Sequence, residues 1–252
     1  MEFFNHLTAA ADLIRPAGNL VVITGAGVSA ESGIDTYRGA GGLWDRHDVN
    51  EVATGTALRV NPRKVWEFLL LLREHVAEAE PNPAHHAIRA LEEHVETVRV
   101  ITQNIDGLHQ TAGSDEVLEI HGNVREARHE GSGRIYPLER LDLGRLPPRC
   151  PVSDEPLRPN VLYFEEAYDP AIMGKAARWV REAKVILVVG TSGMVPTPYH
   201  LAHDGKQAGA AVIDVNPDPG VAREVFGAAG GIADVFLQGR AGEVLPQLLT
   251  LL

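Results

Sequence analysis

The run Val185-Ile186-Leu187-Val188-Val189 constrains the fold more than any other stretch of this chain. A strand of consecutive aliphatic residues has no polar face, so both faces must be covered, as in a parallel sheet clothed by helices on either side. Further short runs read as companion strands: Leu20-Val21-Val22-Ile23, Val98-Arg99-Val100-Ile101, Val117-Leu118-Glu119-Ile120, Ala211-Val212-Ile213-Asp214-Val215 and Asp234-Val235-Phe236-Leu237. Between or after them, Pro62 to Val76, Pro83 to Glu93, Pro170 to Glu182 and Ala241 to Leu249 carry a helical period. Three of these segments open on a proline, whose missing N–H costs nothing in a first turn. Alternation of the two patterns predicts an α/β fold.

From about His129 to Leu157 the texture changes, with Gly131-Ser132-Gly133, Pro147-Pro148 and Cys150-Pro151 breaking any period. A structureless loop of that length is uncommon inside a compact domain, so residues 125–160 are expected to form a small lobe inserted in a single domain spanning 1–252. Cys150 is the only cysteine, which excludes an intrachain disulfide and a multi-cysteine metal or iron–sulfur site. The formal net charge of −11 opposes a phosphate backbone, so direct nucleic-acid binding is not expected. No apolar run approaches a membrane span and no basic-then-apolar leader opens the chain, so a cytoplasmic protein is expected.

Directly after the first strand stands Gly25-Ala26-Gly27-Val28-Ser29-Ala30, a match to G-x-G-x-x-G/A in the context of strand, tight turn and helix start. Glycines there let the backbone approach a pyrophosphate, and free N–H groups of the helix start attract the anion, although the same glycines can serve packing alone. The acidic ribose ligand usual about 20 residues onward has only Asp45 and Asp48 as candidates. A second cluster, Thr102-Gln103-Asn104-Ile105-Asp106-Gly107-Leu108-His109, falls where the strand Val98 to Ile101 ends. Open α/β sheets bind ligands at that edge, while Asn and Asp there can equally build turns and caps. Ile120-His121-Gly122-Asn123 puts His121 at the same edge, as a general base or as a structural histidine. Gly190-Thr191-Ser192-Gly193 and Asp214-Val215-Asn216-Pro217 end two more strands with small hydroxyl and amide side chains, suited to ribose and phosphate or to capping. A long nucleotide laid across the carboxyl edge accounts for all of them together.

In order and spacing, Gly25-Ala26-Gly27-Val28-Ser29, Glu31-Ser32-Gly33-Ile34, Tyr37-Arg38-Gly39, Thr102-Gln103-Asn104-Ile105-Asp106, His121-Gly122 and Gly190-Thr191-Ser192 resemble the sirtuin family. The resemblance runs from about Gly25 to the C-terminus, where Leu237-Gln238-Gly239-Arg240-Ala241 and Leu245-Pro246 are similar to the family's closing segment. It implies a Rossmann-type doubly wound parallel sheet with a small inserted module, and NAD consumed as a co-substrate. The implied reaction removes an acyl group from a protein lysine. The acyl oxygen attacks the anomeric carbon of the nicotinamide ribose, nicotinamide leaves, and His121 acts as base on a ribose hydroxyl, giving O-acyl-ADP-ribose. Asn104 and Asp106 are the implied partners of a cationic transition state, a task suited to fixed dipoles and a carboxylate.

The same resemblance places the cofactor on Gly25, Ala26, Gly27, Tyr37, Arg38, Gln103, Asn104, Asp106, Gly190, Thr191, Ser192, Asn216 and Ala241. Gln103 and Arg38 match ribose and phosphate contacts, Tyr37 stands where a Phe usually shields the ribose, and Ser192 and Asn216 match the adenosine side. The acyl-lysine protein substrate is implied to lie along Val161, Tyr163 and Phe164, with its acyl group against Leu69 and Leu72.

Three departures bear on this. Sirtuins usually hold zinc in the inserted module with two cysteine pairs, but the matching positions are His129, Ser132, Cys150 and Ser153, so no zinc is expected. Glu165 stands where the family commonly has Gly. The Gly39-Ala40-Gly41-Gly42-Leu43-Trp44 loop resembles the desuccinylase branch, yet that branch's acyl-reading Tyr and Arg are Leu69 and Leu72, so acetyl or longer apolar acyl groups are expected. Two other readings stay open: an NAD hydrolase or ADP-ribosyltransferase, and a non-catalytic NAD-sensing module. The oligomeric state has no signature in the sequence.

Overall fold

The aliphatic runs become the strands of one sheet. The protein is described here by a computed structural model covering residues 2–34, 47–193, 195–219 and 231–252. Its strands are β1 (Asn19–Thr24), β2 (Thr97–Thr102), β3 (Glu116–Glu119), β4 (Gly122–Arg128), β5 (Ile135–Pro137), β6 (Arg158–Val161), β7 (Val185–Val189), β8 (Ala211–Asn216) and β9 (Val235–Gln238). The main sheet runs β3-β2-β1-β7-β8-β9, every pair parallel.

Alternation along each strand feeds two cores. Leu20 and Val22 of β1 and Leu187 of β7 face the helices Glu2–Ile14, Pro83–Ala90 and Ala241–Leu249. Val21 and Ile23, with Ile186 and Val188, face the helices Pro170–Glu182 and Thr197–Gln207. Both faces of the sheet are thus covered, which is why the central strands β1 and β7 carry no polar stripe. The helices Glu2–Ile14 and Thr197–Gln207 were not among the segments expected to be helical. From β1 the chain builds outward through β2 to β3, then crosses to β7 on the other side of β1. The order reverses between β1 and β7, so a crevice opens above their carboxyl ends.

A second sheet, β5-β4-β6, is antiparallel. Gly122 at its start has φ of 83°, and a Cβ there would fall 1.9 Å from the Asn160 carbonyl oxygen, so only glycine lets β4 approach β6. The lobe is completed from far away in sequence: the helix Pro62–Ala77 contributes Trp66, Leu69 and Val76 to a core with Val124, Ala127, Leu138, Cys150 and Leu157. Trp66 Nε1 donates to the Leu157 carbonyl at 3.1 Å, satisfying the indole inside that core. No helix among the described residues is long and apolar enough to cross a membrane.

Candidate active site

At the β1/β7 crevice the two loops meet backbone to backbone. Gly27 N donates to the Gly190 carbonyl at 2.9 Å, and a Cβ on Gly27 would lie 2.7 Å from that oxygen. Gly190 has φ of 61°, and a Cβ on it would meet Val28 N at 2.6 Å. The glycines therefore serve close packing as well as leaving open space: a cavity of about 350 Å³ lies over them, lined in part by Gly27, Glu31, Gly190, Val215, Arg240 and Ala241. Asn216 Nδ2 donates to the Thr191 carbonyl at 2.7 Å and ties the β7 and β8 loops together. Thr191 Oγ1 is buried without a hydrogen-bond partner among the described residues, and Ala26 and Ser192 are exposed at the rim. A glycine cradle, an orphan hydroxyl and the Arg240 guanidinium fit the phosphate and sugar of a nucleotide. Arg240 was not singled out by the sequence reading, although it sits inside the closing motif Gln238-Gly239-Arg240-Ala241. Asp48 accepts from Asn50 N and caps a short helix. Tyr37, Arg38, Asp45 and the Gly39–Trp44 loop lie outside the described residues.

Beside the crevice, the end of β2 carries a buried polar network. Asn104 Nδ2 donates to Ser29 Oγ at 2.9 Å and to the Gly25 carbonyl at 3.2 Å. Ser29 Oγ donates to Asp106 Oδ2 at 2.8 Å, and Leu108 N donates to Asp106 Oδ1 at 2.9 Å. Burial raises the Asp106 pKa, while these two donors and the Arg125 charge pull it back. His85 stands behind Ser29: its Nδ1 accepts from Asn82 N at 3.3 Å, which leaves the ring proton on Nε2, 3.5 Å from Ser29 Oγ. His109 Nε2 lies 2.9 Å from Thr24 Oγ1, which donates to Thr102 Oγ1, which in turn accepts from Asn104 N. Burial lowers the His85 pKa to about 4 and the His109 pKa to about 3, so both rings are neutral. Ser29 and His109 stand within motifs placed at this edge but were given no role, and Thr24 and His85 were not singled out. Asn82-Pro83-Ala84-His85 is readable as a helix start, but nothing local reveals that its histidine reaches Ser29.

His121 follows β3 at the same edge. Burial lowers its pKa, a hydrogen bond with the Gln103 backbone opposes that, and Nε2 lies 3.0 Å from the Tyr168 hydroxyl. Gln103 itself is half-buried, and its amide nitrogen lies 3.0 Å from where a Cβ on Gly25 would be. The His121 carbonyl accepts from Leu162 N at 2.9 Å, which sets the segment from Val161 to Phe164 beside the histidine. On its other side Phe164 pairs with the Ala53 to Gly55 backbone. Val161 is half-buried, Tyr163 buried and Phe164 exposed. Glu165 has φ of 72°, the left-handed region that favours glycine, and its carboxylate accepts from Thr56 N at 3.1 Å and Thr56 Oγ1 at 2.7 Å. Leu72 is half-buried and packs against both the lobe core and a neighbouring core of Val52, Ala53, Ala57, Val65, Phe68 and Tyr163, as does Val161, whereas Leu69 is 1% exposed and lies inside the core under the module.

The positions matching the family's zinc ligands sit on two hairpin tips that meet through hydrogen bonds. His129 Nδ1 lies 2.8 Å from Ser132 Oγ, its Nε2 lies 2.5 Å from Glu155 Oε2, and Ser153 Oγ bonds to Glu155 Oε2 at 3.2 Å. Cys150 Sγ lies 3.3 Å from the Tyr136 hydroxyl, and hydrogen bonds from Ser153 and Tyr136 lower the thiol pKa to about 6. Two hydroxyls, one imidazole and one thiol do not make a tetrathiolate cage, and this donor set does not fit the family's zinc.

A doubly wound sheet with a glycine-lined crevice at its switch point, a buried carboxamide and carboxylate beside it, and an inserted antiparallel module are the features of the α/β nucleotide-binding class. The model of the Sir2 family matches residues 25–197, and the chain belongs to that family. It is 43% identical over 239 residues to NAD-dependent protein deacylase 2 of Pyrobaculum aerophilum, covering 95% of this chain and 93% of that one. Among solved structures, a mutant Sir2 homologue in complex with ADP-ribose is similar with a TM-score of 0.85 and 38% identity, covering 96% of this chain and 95% of that one. Sir2Af2 bound to a myristoylated histone peptide is similar with a TM-score of 0.73 and 34% identity, covering 100% and 97%.

Proposed function

We propose that the chain is an NAD-dependent protein-lysine deacylase whose chemistry runs on Asn104, Asp106 and His121. The observation that carries this is the convergence at one sheet edge of the glycine-lined crevice, the Asn104–Ser29–Asp106 network and His121, with the Val161 to Phe164 segment alongside. NAD, when bound, supplies a glycosidic bond whose cleavage drives acyl transfer from lysine. Gly25, Ala26, Gly27, Gly190, Thr191, Ser192, Asn216 and Ala241 line the nucleotide's phosphate and adenosine end, with Arg240 as an added cation. Gln103, with Tyr37 and Arg38, serves the ribose nearer the chemistry. Asn104 and Asp106 direct a fixed dipole and a desolvated carboxylate at the developing positive charge. His121 is the base that drives removal of a proton from a ribose hydroxyl in the later step.

Val161, Tyr163 and Phe164 hold the substrate peptide in extended form. The acyl group lies against Leu72, while Leu69 supports that wall from within. The Gly39–Trp44 loop gives a likeness to the desuccinylase branch, but with leucine at both acyl-reading positions the pocket favours acetyl or longer apolar groups. The whole chain works as a single domain, and its lobe at residues 125–160 stands without zinc.

Incubating NAD with and without an acetylated peptide, and identifying nicotinamide and acylated ADP-ribose by mass spectrometry, tests the proposal. Peptide-dependent acyl product supports it. Nicotinamide released without acyl transfer would instead mark an NAD hydrolase, and binding without turnover a sensing module.

A further inference from the structure

The tautomer of His121 is fixed by its surroundings. Tyr168 sets it, because its hydroxyl accepts from Thr197 Oγ1 and so turns its own proton toward the imidazole. Nε2 is then the acceptor, and what it faces is not open space but the Tyr168 hydroxyl at 3.0 Å. Tyr168 accepts in turn from Thr197 Oγ1 at 3.0 Å. Because the threonine donates, the phenolic proton has one direction left, toward Nε2.

Tyr168 is held where it is by more than this bond. Its ring is half-buried and packs against the core that includes Leu118, Ile120 and Trp179. The residue after it, Asp169, caps the helix Pro170–Glu182 by accepting from Ala171 N at 2.8 Å. The two rings lie 5.6 Å apart between centroids, tilted by 33°. An anchored side chain therefore occupies the lone pair that the reaction needs.

We propose that Tyr168 is a further catalytic residue, a proton relay between the substrate hydroxyl and His121; this rests on the reading of His121 as the base. The ribose hydroxyl gives its proton to Tyr168 Oη as the phenolic proton passes to His121 Nε2. The tyrosine ends as it began, the imidazole becomes imidazolium, and the substrate oxygen becomes the nucleophile. Thr197 holds the phenol in the donating orientation.

Tyr168→Phe removes one oxygen and keeps the packed ring. At saturating substrates it should lower acyl-product formation by about 30-fold or more, within the range of general-base effects. KM for NAD and for peptide should stay within about twofold, and the deficit should fall on acyl transfer rather than on nicotinamide exchange, a split that loosened packing would not give. Adding Tyr168→Phe to His121→Ala should cost nothing further, because the two act as one unit. A loss below about tenfold, equal losses in both steps, or losses that multiply in the double variant would overturn the relay. Should Tyr168→Phe fail to fold, Thr197→Val takes its place, with a loss confined to acyl transfer expected and an unchanged kcat counting against the relay. If His121→Ala itself keeps acyl transfer, the assignment of the base falls first; if it loses transfer and Tyr168→Phe does not, the relay alone is wrong.

Discussion

Ser29 donates its hydroxyl to Asp106 at 2.8 Å, joining the first turn after β1 to the turn after β2 across 77 residues of sequence. The same oxygen receives Asn104 Nδ2, so two side chains assigned to the early chemical step depend on one serine. Ser29→Ala strips a donor from Asp106 and an anchor from Asn104. Hydrogen bonds to charged groups contribute roughly 1.5–3 kcal/mol, so nicotinamide exchange should fall by about 10- to 100-fold. Asn104→Ala and Asp106→Ala should fall at least as far. Wild-type exchange rates in all three would reduce the cluster to a turn and capping network.

The buried titrating groups pull stability in opposite directions with pH. His85 and His109, with pKa values held at about 4 and about 3, resist protonation when folded but not when unfolded. Their stabilising effect is complete above about pH 6.5 and is lost as pH falls, by about 2 kcal/mol each at pH 5. Asp214 is buried with neither carboxylate oxygen hydrogen-bonded among the described residues, and burial raises its pKa to about 7. Burial likewise raises Glu119 to about 7. Raised carboxyls have the reverse sign, so on going from pH 7 to 5 each returns about 2 kcal/mol. These groups therefore oppose one another across this interval, and Asp214→Asn should make unfolding free energy decline more steeply on acidification than in the parent. Denaturant titrations at pH 7, 6 and 5 measure the slope; an unchanged slope in the variant would count against an unpaired Asp214.

Glu165 combines an unfavourable backbone with a useful side chain. Its φ of 72° costs a non-glycine residue about 1 kcal/mol, while its bonds to Thr56 N and Oγ1 offset that. Glu165→Gly removes both effects and should change the melting temperature little. Glu165→Ala keeps the strain and loses the bonds, so it should be the less stable of the two. The reverse order would mean that the left-handed backbone costs nothing here, and an alanine variant as stable as the parent that the carboxylate contributes nothing.

Without a tetrathiolate site, the two hairpin tips of the lobe depend on the polar cluster of His129, Ser153 and Glu155. Chelator treatment should leave the thermal midpoint unchanged, and Glu155→Ala should lower it slightly. One equivalent of zinc by elemental analysis, with unfolding on chelation, would contradict this reading.

What the sequence revealed and what it hid divide by the range of the interactions. Val185 to Val189 was legible as a buried strand because burial on both faces leaves its mark on every residue of the run. That Gly25, Asn104, His121 and Asn216 gather at one edge was legible because strand ends in a parallel sheet share that edge, so order along the chain becomes position in space. Trp66 and Leu69 were hidden in another sense: their helix looked like any apolar helix, and that it roofs a lobe formed by Val124, Leu138 and Leu157 is a matter of long-range packing alone. His85 and Tyr168 were hidden for the same reason, since each reaches its partner, Ser29 or His121, from dozens of residues away.

That packing also sharpens the expectation for the acyl group. Leu69 and Leu72 match the desuccinylase branch's acyl-reading Tyr and Arg, but only Leu72 packs against both the lobe core and the neighbouring core of Val52, Phe68 and Tyr163, as Val161 does. A succinyl carboxylate placed there meets no guanidinium and no tyrosine hydroxyl from these positions, and burying it unpaired costs several kcal/mol, about a hundredfold or more in rate. Each buried CH₂ of an aliphatic acyl chain instead gains about 0.8 kcal/mol, close to fourfold. On one peptide, kcat/KM should therefore rise from succinyl to acetyl and hold or rise for longer apolar chains. Leu72→Arg should narrow the gap by raising succinyl and lowering long acyl groups, whereas Leu69→Arg should mainly destabilise the protein, because that side chain is enclosed. Succinyl preferred by the unmodified chain would mean that a different cation, with half-buried Arg73 next in line, reads the acyl end and that Leu72 does not line the pocket.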